Sequence, residues 1–202
     1  MKVGFIGSAA DVPTLAHALT VLFDGLGCHK GVYLGDHAPL VPLIRQRQQA
    51  LACTHHGHAD PFLCRAAALW RQGDPAAIQT LLRQERQWQQ LHQLFTVPTS
   101  HRCGVELMGD KLCLLVHNKA WLDQDDIYNS TLVVYGGHPT PAFRRIGQRC
   151  FFCPGPVAEG QLGVLDLSDE RCPKLSAIDL QGQPLWCQPL ARVSVQFSLQ
   201  GQ

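Results

Sequence analysis

No stretch of this chain approaches the roughly 18 uninterrupted apolar residues that a membrane span requires. Charge is scarce and nearly balanced, with 16% of residues charged and a formal net charge of +1. Such a balance gives no one-signed field to attract nucleic acid or an anionic membrane surface, so neither is an expected partner. Met1 leads straight into an apolar segment without a basic n-region or cleavage pattern, and the expected location is the cytoplasm. Two enzyme signatures are missing as well. Gly4 and Gly7 lack the GxGxxG spacing of a dinucleotide loop, and no G-x-S-x-G elbow is present for a serine hydrolase. Cysteine is not scarce, at 9 residues, but the number is odd and the spacing irregular. In a reducing compartment that pattern indicates buried apolar thiols more than a disulfide framework. Cys150 and Cys153 form a CxxC pair, yet no second pair completes a four-thiolate zinc site. Positions three apart on a strand also face opposite sides.

What the chain does have is apolar residues, 46% of 202, enough for a substantial core and predicted to form one domain over residues 1–202. Lys2 to Gly7 reads as a short buried parallel strand. Asp11 then supplies an N-cap with Pro13 close behind, and Leu15, Ala18, Leu19 and Leu22 recur at helical spacing until Gly25 and Gly27. A second strand at Gly31 to Leu34 completes a βαβ unit, which places Ser8 to Asp11 and Asp36-His37 on the same carboxyl edge of a sheet.

The pattern is helical from about residue 41 to 95, including a helix over Phe62 to Trp70 and a longer one opened by Asp74-Pro75. Strands are predicted at Cys103 to Leu107 and Lys111 to Val116, joined in a hairpin by Met108-Gly109-Asp110. Further strands follow at Thr131 to Tyr135, Phe143 to Ile146, Cys150 to Cys153 and Leu162 to Leu167. Beyond Cys172 the pattern suits edge strands, the last alternating Val193, Val195, Phe197 and Leu199.

Polar residues gather where these strands end. Gly35-Asp36 follows the second strand, Val116-His117-Asn118 a later one, and Gly136-Gly137-His138-Pro139 the next. Gly57-His58-Ala59-Asp60 lies between them within a run that places Cys53, His55, His56, His58, Asp60 and Cys64 inside twelve residues. That density suits a metal site of its own, but a polar loop with hydrogen-bonded histidines is the favoured reading. Trp70, Trp88, Trp121 and Trp186 are the candidate interface anchors, with core burial the alternative for each.

The order and spacing of these motifs resemble the calcineurin-like metallophosphoesterases, in particular the small single-domain type, over about residues 1–167. The resemblance implies a four-layer α/β/β/α sandwich of two mixed sheets flanked by helices. It also implies a metal site from which several groups are missing. The family's opening Asp-x-His falls on Ser8 and Ala10, the catalytic His of its Gly-Asn-His-Asp motif on Ala59, and its last His pair on Gly137 and Pro139. The positions that keep a ligand are Asp36, His58 and His117, with His138 as a fourth if the turn shifts by one residue. Such a set suits at most one divalent transition metal, zinc, manganese or iron.

A bridging hydroxide needs both metals of a pair, and a general acid alone contributes roughly 10²- to 10⁴-fold. The resemblance thus implies a catalytically degenerate member that binds a protein partner. The alternative is a divergent metal-dependent phosphoesterase acting on a phosphate mono- or diester with one metal or an altered pair. An enzyme would keep an open polar pocket around Asp36 and His117, whereas a binding module could fill it with side chains.

Overall fold

The central strands read as nearly continuous apolar runs buried on both faces, and two stacked sheets enclose the main core between them. The computed structural model describes residues 1–51, 61–97, 103–169 and 171–190. Strand β1 (Lys2–Ile6) pairs parallel with β2 (Lys30–Tyr33), and α1 (Val12–Thr20) crosses between them. Asp11 caps that helix, accepting from the Thr14 amide at 2.8 Å, and a π-helical turn over Val21–Gly25 ends it.

Three helices follow: α2 (Leu40–Leu51), α3 (Pro61–Gln72) and α4 (Pro75–His92), the last capped by Asp74. The chain then enters strand β3 (Leu94–Thr96), parallel to β2. The helical reading to residue 95 therefore runs three residues too far. Leu94 and Phe95 fit a helical stripe equally well, and pairing with Gly31 and Val32 decides in favour of a strand.

Strands β4 (Cys103–Met108) and β5 (Lys111–Val116) form the predicted hairpin. Gly109 has φ +62° and Asp110 a negative φ, the combination of a type II′ turn. A 3₁₀ turn (Lys119–Trp121) and α5 (Gln124–Tyr128) precede β6 (Leu132–Tyr135), β7 (Ala142–Ile146) and β8 (Arg149–Cys153). After a second 3₁₀ turn (Val157–Glu159) come β9 (Gln161–Asp166), β10 (Lys174–Asp179) and β11 (Pro184–Pro189).

The first sheet has the order β11-β10-β9-β1-β2-β3 and the second β4-β5-β6-β8-β7. Both are mixed, and helices cover their outer faces, giving the α/β/β/α sandwich. β10 is interior to its sheet, with Leu175 and Ala177 buried, so only β11 of that pair is an edge strand. The alternating segment around Val193 to Leu199 lies outside the described residues.

The main core fills the space between the sheets. Phe5 of β1 meets Phe152 of β8 edge to face at 5.7 Å, and Trp186 of β11 closes on Phe152 at 5.8 Å. A second core packs Leu15, Ala18, Leu19 and Leu22 of α1 and the π turn against Ile6, Tyr33 and Leu162. Cys150 belongs to the inter-sheet core and Cys153 to a cluster on the outer face with Val116 and Tyr135, as strand periodicity requires. Phe152→Ala should therefore cost about 3–5 kcal/mol through the cavity left among Phe5 and Trp186, read as a lower urea midpoint at unchanged slope.

Candidate functional site

The carboxyl ends of β1, β2, β5 and β6 lie side by side, and the loops leaving them build one surface. The Leu34 amide bonds to the Ile6 carbonyl at 2.8 Å, so the loops after β1 and β2 leave from adjacent points. Ser8 and Ala10 are exposed on the first loop, whose Ser8 carbonyl accepts from the Val157 amide at 2.8 Å. Asp36 is exposed on the second loop and folds back on itself, with Oδ1 accepting from the Ala38 amide at 2.8 Å.

His117 reaches across from the second sheet to the first. Its Nδ1 lies 2.8 Å from the Leu34 carbonyl oxygen, and because a carbonyl only accepts, Nδ1 carries the proton and Nε2 the lone pair. Gly136 follows β6 at the same place. A Cβ there would stand 2.7 Å from the Leu34 oxygen and 3.0 Å from the His117 oxygen, so only glycine lets the three loops meet.

Imidazole and indole rings fill the surface around His117. His37 stands edge to face with it at 6.1 Å and Trp121 at 6.2 Å. The Trp121 turn is set by Asn118, whose side chain accepts from the Ala120 amide at 3.0 Å. Trp121 remains 49% exposed, the one large aromatic face that this surface offers to solvent among the residues just named. His138 turns away along its own loop, its Nδ1 2.8 Å from the Thr140 carbonyl, and packs on Tyr135 at 6.4 Å.

Among the described residues, no three His, Cys, Asp or Glu side chains come close enough together to hold a metal ion, so Asp36, His117 and His138 do not converge by themselves. His58 and Ala59 lie outside the described residues, as does the cluster from Cys53 to Asp60; Cys64 is exposed on α3. Ser8, Ala10 and Pro139 offer neither carboxylate nor imidazole. The described residues at this edge do not by themselves fit a two-metal centre. Asp36 and His117 carry donor chemistry that suits a single transition metal, and the backbone hydrogen bond that fixes the His117 tautomer is the usual support of a metal-bound imidazole.

Two polar atoms beneath this surface are buried: the Tyr33 hydroxyl, which the Ala9 amide faces, and His37 Nδ1, which has no hydrogen-bond partner among the described residues. Burial and the Asp36 charge push the Tyr33 hydroxyl up to about 12, opposed by the Ala9 amide that faces it. His37 falls on the carboxyl edge where the sequence places it, whereas the Tyr33 hydroxyl was not legible as part of the site, because Tyr33 reads simply as a β-former within an apolar strand. At the far end of the second sheet, a cleft of about 710 Å³ lies between the strand starts, lined by Lys111, Thr131, Arg149 and Leu190 among others. It is remote from these loops.

No family model matches the chain, and no curated protein does. Solved structures do. A novel archaeal phosphodiesterase superposes with a TM-score of 0.54 at 15% identity, over 89% of this chain and 99% of its own. A predicted phosphoesterase from Streptococcus pneumoniae gives 0.53 at 10% identity, over 95% and 99%. Yfce, a phosphoesterase from E. coli, gives 0.52 at 17% identity, over 94% and 100%. The fold is that of the small calcineurin-like metallophosphoesterases. Fold alone does not carry activity with it.

The elevated Tyr33 value has a consequence for stability. A hydroxyl that ionises at about 12 when folded and at the ordinary 10 when unfolded leaves full stability below pH 10 and removes it as pH rises toward 12. Cys28 and Cys113, pushed by burial to about 11 and about 12, act in the same direction. Tyr33→Phe should therefore flatten, without abolishing, the alkaline fall in unfolding free energy measured by denaturant titration between pH 9 and 12.

Proposed function

We propose that this chain is a phosphoesterase-fold binding module whose carboxyl edge recognises a partner protein in place of hydrolysing a phosphate ester. The observation that carries this reading is the packing around His117. A phosphoesterase would keep open polar space there for the phosphoryl group, whereas His37 and Trp121 stand against the ring on two sides. Ser8, Ala10 and Pro139 supply no ligands for a metal pair, and Trp121, half-exposed, is of the residue type most enriched at interface hot spots.

A second reading keeps one metal. The Nδ1–H of His117 is committed to the Leu34 carbonyl, which leaves Nε2 free as a ligand beside Asp36. With His58 added, and His138 only if its loop turned back from Thr140, a divalent zinc, manganese or iron ion would supply Lewis-acid polarisation of a phosphate mono- or diester. On that reading Asp36 and His117 hold and orient, and loss of either removes the activity.

Elemental analysis and a hydrolysis assay separate the two. Purified protein incubated with zinc or manganese is expected to turn over bis(p-nitrophenyl) phosphate no faster than its Asp36→Ala and His117→Ala variants. A manganese-dependent rate that both substitutions abolish, together with metal lost in His117→Ala, would establish the second reading. On the binding side, Trp121→Ala should weaken capture of the partner by about tenfold or more, roughly 1.4 kcal/mol, without altering the circular dichroism spectrum.

A further inference from the structure

The loops around His117 share an electrostatic character that no single residue in them shows. Three side chains there accept hydrogen bonds or attract positive charge. Asp36 is exposed, and its one hydrogen bond among the described residues runs from the Ala38 amide to Oδ1, which leaves Oδ2 to solvent. His117 turns its Nδ1–H to the Leu34 carbonyl, so Nε2 on the far side of the ring presents a lone pair, which is not buried and has no partner among the described residues. Trp121 presents an indole that is 49% exposed, and the face of such a ring is negative.

The fixed charges have the same sense. Across the loops over residues 7–11, 35–39, 117–123 and 136–141, Asp11, Asp36 and Asp123 are the carboxylates, and Lys119 is the only lysine or arginine. Lys119 is directed elsewhere, because its Nζ lies 5.1 Å from the centre of the Tyr135 ring, in the cluster on the outer face of the second sheet. Past Trp121 the chain adds Asp125 and Asp126, with no lysine or arginine until Arg144. An acidic segment of a partner would therefore meet like charge here.

Resting on the binding-module reading, we infer that the partner delivers an arginine side chain to this surface, its guanidinium against the Trp121 indole and its N–H groups donated to His117 Nε2 and the Asp36 carboxylate. His37 stands 6.1 Å and Trp121 6.2 Å from the His117 ring, so the loop carrying Asp36 and the turn carrying Trp121 flank one imidazole. A guanidinium suits this set where other groups do not. It has five donors and no acceptor, it stays charged, and its plane stacks on an indole. Lysine brings a point charge without the plane, and a neutral donor gains nothing from the surrounding carboxylates.

The test titrates the full chain, isotope-labelled and kept in EDTA, with N-acetylarginine methylamide in the millimolar range and follows the Trp121 indole N–H resonance by NMR, assigned by its loss in Trp121→Leu. That resonance should shift in a saturable way. Asp36→Asn should raise the dissociation constant about threefold or more at unchanged circular dichroism, and the neutral citrulline analogue should leave the resonance in place. No shift with the arginine probe, an equal shift with citrulline, or an affinity unchanged in Asp36→Asn would each overturn the inference. Those outcomes leave the binding-module reading standing, which falls instead to a manganese-dependent hydrolysis that Asp36→Ala and His117→Ala abolish.

Discussion

Phe152 lies fully buried between the sheets, in edge-to-face contact with Phe5 on one side and Trp186 on the other. These contacts tie β8 of the second sheet to β1 and β11 of the first. The inter-sheet core they belong to fixes how the sheets stack, and stacking fixes which loop ends meet at the carboxyl edge. Interiors packed to crystal-like density transmit such constraints with little slack. The Leu34 carbonyl then serves as a shared point for both sheets. It receives the His117 imidazole across the interface and touches the backbone at Gly136.

Around that point several rings and loop ends are held in fixed relation to one another. His117 is held in one tautomer, with His37 and Trp121 against its ring, and Asn118 sets the turn that brings Trp121 there. Beneath lies the buried Tyr33 hydroxyl, faced by the Ala9 amide. The likeness to phosphoesterases is one of fold, and function rests with the side chains placed on that fold.

Much of the frame was legible because local signals and tertiary packing agreed. The βαβ start, the Asp11 and Asp74 caps, the Gly109 hairpin and the strands from β6 to β9 all follow from periodicity and turn chemistry. Two places failed for one reason. Leu94 and Phe95 suit a helix or a strand, and Leu175 and Ala177 suit an edge or an interior strand. Only the neighbouring strand settles either choice, since strand preference reflects its packing environment more than the backbone itself. The opposite faces of Cys150 and Cys153, by contrast, follow from the two-residue period of any strand.

By itself the sequence determined the residue types at the strand ends: Asp36, His117 and His138 present, with Ser8, Ala10 and Pro139 on the same loops. It determined the order of those ends as well, since a parallel crossover places successive loops on one edge. Tertiary structure decided which of these groups meet. His117 bonds to Leu34, 83 residues earlier, and packs on His37 and Trp121, while His138 turns to Thr140 two residues on. Periodicity reports which face a residue takes, but contact between distant loops depends on how two sheets stack, and that is settled by the packed volume between them.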